Sequence, residues 1–194
     1  MNIPTLAPPK TYSLDDYRRL EERAEERHEY HNGEIIAMTG GSANHAWIIG
    51  NLFFLLRLAF QNTPFKAYGG DLRVWIPAYN RGLYPDISVF QEELLFNANR
   101  QDEVLNPCLL VEVLSASTEG YDRGDKFRFY RSLASLQDYL LVNQGEPVIE
   151  HYHREEADRW ILTTYTGLEA SLSLPLGHLE VPLAQIYQGI NLKE

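Results

Sequence analysis

The sequence predicts an α/β (α+β) fold in which a mixed β-sheet is flanked by helices, with core elements in the order α, β, β, β, α, β. Three observations predict this fold. A long apolar helical segment precedes three apolar runs of strand length, a second helical segment separates the third run from a fourth, and turn residues lie between them. A helix and a hairpin precede the core, and another hairpin follows it. Because 194 residues can bury one core without disulfides, we expect an extended arm over residues 1–10 and a single domain over residues 11–194.

Two helices are predicted to begin at a serine. Ser13 can cap the first helix, and Asp16, three residues later, can reach back as the acidic member of a capping box. Ser42 can cap a second helix that runs to about Phe60. Because this second helix is hydrophobic on most of its sides, we expect it to lie in the centre of the protein.

The hairpin between these helices has the clearest turn signal in the chain. Asn32-Gly33 separates two strand-like runs, and a two-residue turn of the primed type needs positive φ at both positions. The resulting register pairs His31 with Glu34 and Glu29 with Ile36. Since side chains alternate along a strand, Glu29, His31 and Glu34 are expected on one face.

The remaining elements follow as apolar runs between turn signals. Gly69-Gly70 interrupts the first run and is expected to bend or bulge it. The predicted strands are Phe65 to Ile76, Tyr84 to Phe90, Cys108 to Leu114 and Tyr139 to Val142, the predicted helix is Asp122 to Leu133, and the terminal hairpin joins Val148 to His153 with Trp160 to Tyr165.

Composition limits the classes of partner. A formal charge of −10 counts against broad coating of nucleic acid, although residues 122–131 are locally basic and are where a phosphate backbone is expected to approach. The single cysteine, Cys108, lies in an apolar run and is interpreted as a core residue. The longest apolar segment, residues 46–60, is too short to span a bilayer, and no signal peptide is recognised. A soluble cytoplasmic protein without a membrane partner is expected.

Glu112 is the most informative single residue. On a strand it shares a face with Leu110 and Leu114, so its carboxylate projects from an otherwise apolar surface. A buried carboxylate needs a partner, a proton or a metal, because burying it unpaired costs several kcal/mol. The alternative is a strand end at which Glu112 reaches solvent or pairs with an arginine.

Asp86 and Lys126 become candidate site residues when they are considered together with Glu112. Alone, Asp86 after Pro85 can cap a backbone amide, and Lys126 on a helix can be solvated. Together, two carboxylates on neighbouring strands can hold a divalent cation, while an ammonium orients or deprotonates water and offsets charge on a phosphate. This combination predicts metal-dependent phosphodiesterase chemistry. His45, in the first turn of the second helix, is either a surface histidine or a neighbour of the substrate phosphate.

Several segments carry a family resemblance. They are "RHEYHNGEI", "GGSANHAWI", "GGDLRVWIP", "YPDISVF", "LLVEVLSASTEGYDRGDKFRFYRSL" and "DYLLV". Over about residues 11–190 the chain resembles the Uma-type family of restriction endonuclease-like proteins, which is common in cyanobacteria and was long classed as a domain of unknown function. That family belongs to the PD-(D/E)xK nuclease superfamily, whose restriction endonuclease-like core has the element order predicted above.

The resemblance implies roles for named residues. Leu114 stands where the superfamily normally has its lysine, two residues after the second carboxylate, so the lysine must come from the following helix. The implied catalytic residues are Asp86, Glu112 and Lys126, the implied metal ligands are Asp86, Glu112 and the carbonyl of Val113, and the implied pocket residues are Glu29, His45 and Asp71. For the pocket residues structural roles remain open, since Glu29 can pair with an arginine and Asp71 can close a turn.

The function expected from this resemblance is hydrolysis of DNA phosphodiester bonds by an endonuclease that uses Mg²⁺ or Mn²⁺. Two alternatives remain open. The displaced lysine and the acidic composition also suit a binding module that keeps the nuclease fold without cleaving, or a hydrolase of a small phosphate ester. A homodimer is expected by analogy, because cutting both strands of a duplex commonly uses two sites related by a two-fold axis.

Overall fold

A computed structural model describes residues 11–192, and the predicted extended arm at residues 1–10 lies outside this range. The helices are α1 (Leu14–Glu21), α2 (Ala43–Ala59), α3 (Glu119–Tyr121), α4 (Phe127–Tyr130) and α5 (Leu183–Ile186), with a π-helical segment at Asp122–Lys126 and short 3₁₀ turns at Pro77–Tyr79 and Leu176–His178. The strands are β1 (His28–His31), β2 (Glu34–Ala37), β3 (Phe65–Gly69), β4 (Arg73–Ile76), β5 (Arg81–Leu83), β6 (Ile87–Gln91), β7 (Glu103–Val104), β8 (Leu109–Leu114), β9 (Asp138–Asn143), β10 (Val148–Glu156), β11 (Arg159–Thr166), β12 (Ser171–Leu174) and β13 (Leu179–Pro182).

The strands of residues 11–192 form three sheets. A six-stranded sheet has the order β11-β10-β9-β8-β6-β3, and a five-stranded sheet has the order β2-β1-β5-β4-β7. Each contains one parallel pair, β8 with β9 and β4 with β7, among antiparallel pairs. A small antiparallel pair, β12 with β13, completes the set. Mixed sheets flanked by helices confirm the predicted fold class.

The N-terminal predictions are confirmed in detail. Ser13 caps α1, and both hydrogen bonds of the capping box with Asp16 are present. The turn residues Asn32 and Gly33 have φ of 50° and 105°, and the register pairs His31 with Glu34 and Glu29 with Ile36, as predicted. The local signals were sufficient here because capping and turn chemistry act over three or four residues.

The first predicted strand, Phe65 to Ile76, is wrong as a single element. The chain divides at Gly69-Gly70 into β3, which pairs with β6 in the larger sheet, and β4, which pairs with β5 in the other. A Cβ on Gly70 would lie 3.4 Å from the carbonyl oxygen of Pro85, so the chain passes close to the backbone that leads into β6. The glycines therefore mark a change of sheet, which a bend alone does not describe.

The predicted central position of α2 is also wrong. Only Ile48, Leu52 and Leu56 are fully buried among its residues. Trp47, Phe54 and Leu58 are 59%, 64% and 51% exposed. The helix covers one face of the six-stranded sheet and turns an apolar face outward. The prediction failed because apolar residues occur on nearly every side of the helix, so the sequence does not indicate which side is packed.

Strand β8 separates two hydrophobic clusters. Val111 and Val113 belong to the cluster on the side of α2, whereas Leu110 and Leu114 belong to the cluster that includes α4. This alternation was predicted from the sequence, and it directs Glu112 toward α4 and away from α2. The helix expected over Asp122 to Leu133 begins and ends earlier and contains the π-helical segment. The short strands β5 and β7, the β12–β13 hairpin and α5 were not predicted.

Candidate active site

Glu112 is buried and paired, as its position in an apolar strand required. Its side chain is 5% exposed, the hydroxyl of Tyr130 donates to Oε1 at 2.9 Å, and Nζ of Lys126 lies 3.0 Å from Oε2. Burial raises the pKa of Glu112 well above its ordinary value, the Lys126 ammonium partly opposes this, and the charges of Asp86 and Asp122 add to it. The carboxyl group therefore sits where a nearby positive charge is strongly favoured.

Lys126 is not a solvated lysine. It ends the π-helical segment, is 8% exposed, and places Nζ 3.1 Å from Oδ1 of Asp122 as well as beside Glu112. Burial lowers the pKa of Lys126, but the attraction of Glu112, Glu29 and Asp122 outweighs burial and the pKa lies above its ordinary value. The surrounding carboxylates therefore favour the charged ammonium form.

The π-helical segment aims this lysine. Such segments occur as single turns inside α-helices, frequently at functional sites. The hydroxyl of Tyr139, on β9, donates to the carbonyl of Asp122 at 3.0 Å and ties the segment to the sheet. The carboxylate of Asp122 is 2% exposed, and sequence analysis did not select it. Its spacing of four residues before Lys126 was the available signal, because side chains at that spacing meet on a helix.

Asp86 stands beside Glu112 through strand register. It immediately precedes β6, where Ile87 pairs with Val111 in the antiparallel ladder, so Asp86 lies opposite Glu112. Its Oδ2 accepts the backbone N–H of Val113 at 2.7 Å, and the side chain is 20% exposed. Asp86 therefore does satisfy a backbone amide, which was its ordinary interpretation, while standing next to the second carboxylate.

His45, on α2, lies beside Asp86. The side chain of Ser42 accepts the backbone N–H of His45, which places the ring at the first turn, with Nε2 3.4 Å from Oδ2 of Asp86. The pKa of His45 is raised, chiefly by its hydrogen bond with Asp86. Burial opposes this shift, and a hydrogen bond with the backbone of Val113 adds to it. Of the two interpretations of His45, a place in the site agrees with this geometry.

A pocket of about 400 Å³ adjoins Lys126, and its lining also includes Glu29, His31 and Tyr121. Oε2 of Glu29 lies 2.8 Å from Nε2 of His31, and the ring of His31 stacks on that of Tyr121 with centroids 5.9 Å apart. The Lys126 ammonium lies 5.7 Å from the centroid of Tyr121. The pocket thus combines a carboxylate, an imidazole and an aromatic face around the lysine.

Asp71 is the sequence-selected residue that lies elsewhere. Its side chain is 85% exposed and pairs with Arg27, and both residues line a different pocket from the one beside Lys126. The turn that follows β3 carries it to that surface.

The basic residues expected near a phosphate backbone are mostly paired. Arg123 binds Glu150 at 2.9 Å and approaches Glu119 at 3.2 Å, and Arg128 lies 3.1 Å from Asp125. These ion pairs compensate the positive charge that the sequence concentrates at residues 122–131. Lys126 is therefore the cation of this segment that points into the site.

The donor set fits a hard divalent cation. Asp86 and Glu112 offer carboxylate oxygens and Val113 offers a backbone carbonyl, the donor types that Mg²⁺ and Mn²⁺ prefer. Oδ1 of Asp122 is buried without a hydrogen bond of good geometry, although Lys126 lies within ion-pair distance of it. Asp86, Glu112 and Asp122 bring three acidic groups near one another, and a bound cation would favour their ionised forms.

The fold of this chain is shared with a protein of known structure. The structure superposes with a TM-score of 0.72 on the crystal structure of a putative nuclease belonging to DUF820 from Anabaena variabilis ATCC 29413, over 91% of this chain and 97% of that chain, at 18% sequence identity. At this identity the similarity establishes the shared fold, a mixed sheet with flanking helices.

The family follows from the sequence match. The model of the Uma2 family, described as "Putative restriction endonuclease", matches residues 14–184, so the chain belongs to the Uma2 family. Two relatives come from Synechocystis sp. (strain PCC 6803): Uncharacterized protein sll1609, 39% identical over 86% of this chain and 94% of the relative, and Uncharacterized protein slr1290, 37% identical over 95% of each. The resemblance found in the sequence is confirmed at the level of the family. No helix within residues 11–192 has both the length and the apolar character needed to cross a membrane.

Proposed function

We propose that the chain is a metal-dependent DNA endonuclease that hydrolyses phosphodiester bonds at a PD-(D/E)xK-type site. The observation that carries the proposal is the buried contact of Lys126 with Glu112 at 3.0 Å, beside Asp86 on the adjoining strand end. Lys126, in the helical segment after β8, thus brings an ammonium group to Glu112. Leu114, two residues after Glu112, has no such group. Membership of the Uma2 family supports the same class of reaction.

Asp86, Glu112 and the carbonyl of Val113 would hold Mg²⁺ or Mn²⁺. A divalent ion there supplies Lewis-acid charge at the scissile phosphate and lowers the pKa of nearby water. Glu112 is prepared for this role because its burial penalises an uncompensated negative charge. The Tyr130 hydroxyl holds one of its oxygens, which leaves the carboxylate with a single defined orientation.

Lys126 acts as a cation rather than as a base. The carboxylates of Glu112, Glu29 and Asp122 raise its pKa above the ordinary value, which favours the ammonium form. It orients the attacking water by hydrogen bonding and offsets the negative charge that develops on phosphorus-bound oxygens during in-line attack. Asp122, one turn earlier in the same helical segment, holds the ammonium with Oδ1 3.1 Å from Nζ.

A small phosphate ester is the second candidate substrate, and one observation favours it. Arg123 and Arg128 of the helical segment are compensated by Glu150, Glu119 and Asp125, and the whole chain carries a formal charge of −10. A polymer substrate is usually held by several uncompensated cations, and its binding falls steeply as salt rises. A phosphate monoester or a nucleotide is small enough to be bound by the site residues alone, without further cations along the surface.

The test is cleavage of supercoiled plasmid by purified protein in Mg²⁺ or Mn²⁺, beside EDTA and an Asp86→Ala variant. The matched control is Asp158→Ala, which removes an exposed aspartate in the turn between β10 and β11. We expect metal-dependent nicking or linearisation by the wild type and by Asp158→Ala, and loss of it in Asp86→Ala.

Other outcomes would redirect the assignment. Equal cleavage by wild type and Asp86→Ala would mean that a contaminant or another site cuts the plasmid. Absence of cleavage, with hydrolysis of a model phosphate ester that is insensitive to salt, would favour the small substrate. Metal binding without any hydrolysis would leave a binding module. Light scattering after size exclusion tests the homodimer that we propose for cutting both strands.

A further inference from the structure

We propose that Asp138, His151 and His153 form a second metal site, selective for a borderline transition-metal dication such as Zn²⁺. The site spans β10 and β9, two neighbouring inner strands of the six-stranded sheet. It is separate from the Asp86 and Glu112 carboxylates and takes no part in the function proposed above.

Strand geometry brings the three side chains together. His151 and His153 are two residues apart on β10 and therefore point to the same face. In the antiparallel pairing of β10 with β9, His153 stands directly opposite Asp138, and His151 stands opposite Leu140. A His-x-His pair with a carboxylate across the ladder is an arrangement that a flat, rigid sheet can hold before any metal arrives.

The ligand atoms already converge. Oδ1 of Asp138 lies 2.7 Å from Nε2 of His151 and 2.7 Å from Nδ1 of His153. All three ligand atoms lie within 4.8 Å of one another. Among the histidine, cysteine and acidic side chains of residues 11–192, these three converge closely enough to hold a metal ion. Around a tetrahedral Zn²⁺ with bonds of about 2.0–2.1 Å, ligand atoms are roughly 3.3 Å apart. The carboxylate needs to retreat by only about half an ångström, within the range of a side-chain rotation.

A second observation points to a missing ligand. The Asp138 side chain is 1% exposed, yet its other oxygen, Oδ2, is buried without a hydrogen-bond partner. An unsatisfied carboxylate oxygen in such a place costs free energy, because the oxygen has given up its water without replacement. A cation bound at Oδ1 would offset the negative charge that the two oxygens of this buried carboxylate share.

The donor chemistry selects the class of metal. Two imidazole nitrogens with one carboxylate suit Zn²⁺ and its neighbours in the transition series, whereas Mg²⁺ prefers an all-oxygen environment. His151 and Asp138 are buried, but the side chain of His153 is 32% exposed, so an ion can enter from solvent. Three protein ligands leave at least one coordination position for water or a further group.

The site lies on the opposite face of the sheet from Glu112. Leu140 and Val142, which alternate in phase with Asp138 along β9, belong to the cluster that packs against α2. Tyr139 and Leu141 belong to the cluster on the side of Tyr130 and Glu112. A metal bound at Asp138 is therefore expected to be independent of one bound at Asp86.

The experiment measures Zn²⁺ stoichiometry and affinity by calorimetry on EDTA-treated, desalted full-length protein, in excess Mg²⁺ so that the carboxylate site does not compete. We expect one equivalent of Zn²⁺ for the wild type. His153→Ala and Asp138→Asn should bind it more than about 100-fold more weakly, since loss of a second-shell partner alone costs about 10–100-fold. His178→Ala, which removes an exposed histidine, and Asp86→Ala should retain it.

X-ray absorption of the wild-type complex provides a readout that does not depend on the folding of any variant, and Co²⁺ spectroscopy adds a comparison with one variant. Zinc X-ray absorption of the wild-type complex should show two imidazole ligands, and Co²⁺ in place of Zn²⁺ should give visible bands that His153→Ala lacks. The proposal is overturned if wild-type protein takes up no Zn²⁺ under Mg²⁺. It is equally overturned if the bound ion has no paired imidazoles, or if folded His153→Ala binds as the wild type does.

Discussion

Replacing Lys126 with methionine removes the positive charge between two buried carboxylates while keeping a long side chain in place. Nζ of Lys126 lies 3.0 Å from Glu112 and 3.1 Å from Asp122, whose side chains are 5% and 2% exposed. Breaking a buried pair by removing one partner costs about 3–5 kcal/mol, because the other charge stays buried without compensation. We therefore expect the free energy of unfolding of Lys126→Met to fall by about 3–5 kcal/mol at pH 8.

The loss should shrink as the pH falls. The folded-state pKa of Glu112 already lies above its ordinary value, and without Lys126 it rises further. A carboxyl group with a raised folded-state pKa destabilises the protein at pH values above its unfolded pKa, where the unfolded chain ionises freely and the folded one does not. Lowering the pH to 5.5 brings the unfolded chain closer to its own carboxyl pKa and favours protonated Glu112 in the folded variant, so part of the cost disappears. Urea unfolding in EDTA, followed by circular dichroism, measures both values.

Lys66→Met is the matched control, because Lys66 is an exposed residue on β3. Its free energy of unfolding should stay within about 0.5 kcal/mol of the wild type at both pH values. The reasoning is refuted if Lys126→Met is as stable as the control at pH 8, or if its loss does not change between pH 8 and pH 5.5. Loss of plasmid cleavage in folded Lys126→Met would link the same contact to the proposed activity.

Three further predictions concern neighbouring groups. Tyr130→Phe deprives Glu112 of a donor at 2.9 Å, so urea unfolding should show a loss of about 1–3 kcal/mol; an unchanged midpoint would mean that the bond contributes nothing. The pKa of His45 is raised beside Asp86. Protonated His45 therefore stabilises the folded protein below the unfolded-state pKa, and this stabilisation is lost as the pH rises through the folded-state pKa. His45→Ala in EDTA should lose more stability at pH 6 than at pH 9, and equal losses would contradict this. Burial raises the pKa of Cys108 to about 12, so its thiol should resist Ellman's reagent at pH 8 until urea unfolds the chain; rapid labelling of the folded protein would contradict the buried placement.

Much of the fold followed from local patterns. The Ser13 capping box and the Asn32-Gly33 turn were placed correctly because their chemistry is complete within a few residues. The alternation along residues 109–114 directed Glu112 to one side of its strand, as the two clusters show. Periodicity failed for α2, where apolar residues occur on every side and only packing against the sheet decides which are covered.

The candidate site was predictable in part. Asp86, Glu112 and Lys126 were selected by residue type, order and family resemblance, and the structure brings them together with His45. Asp71 was selected in the same way and lies on another surface, because the turn after β3 leads to a different sheet. Asp122 was missed, since an acid four residues before a lysine on a helix most often marks an exposed ion pair.

The sequence by itself determined the kinds of elements, their order and the types of side chain available for chemistry. Tertiary structure alone decided which charges meet. Glu112 and Lys126 belong to different elements, and the register that sets Asp86 opposite Glu112, like the pairing that sets His153 opposite Asp138, arises between strands distant in the chain. Burial, pKa and metal affinity depend on distances of a few ångströms between such groups, and no local pattern of hydrophobicity specifies those distances.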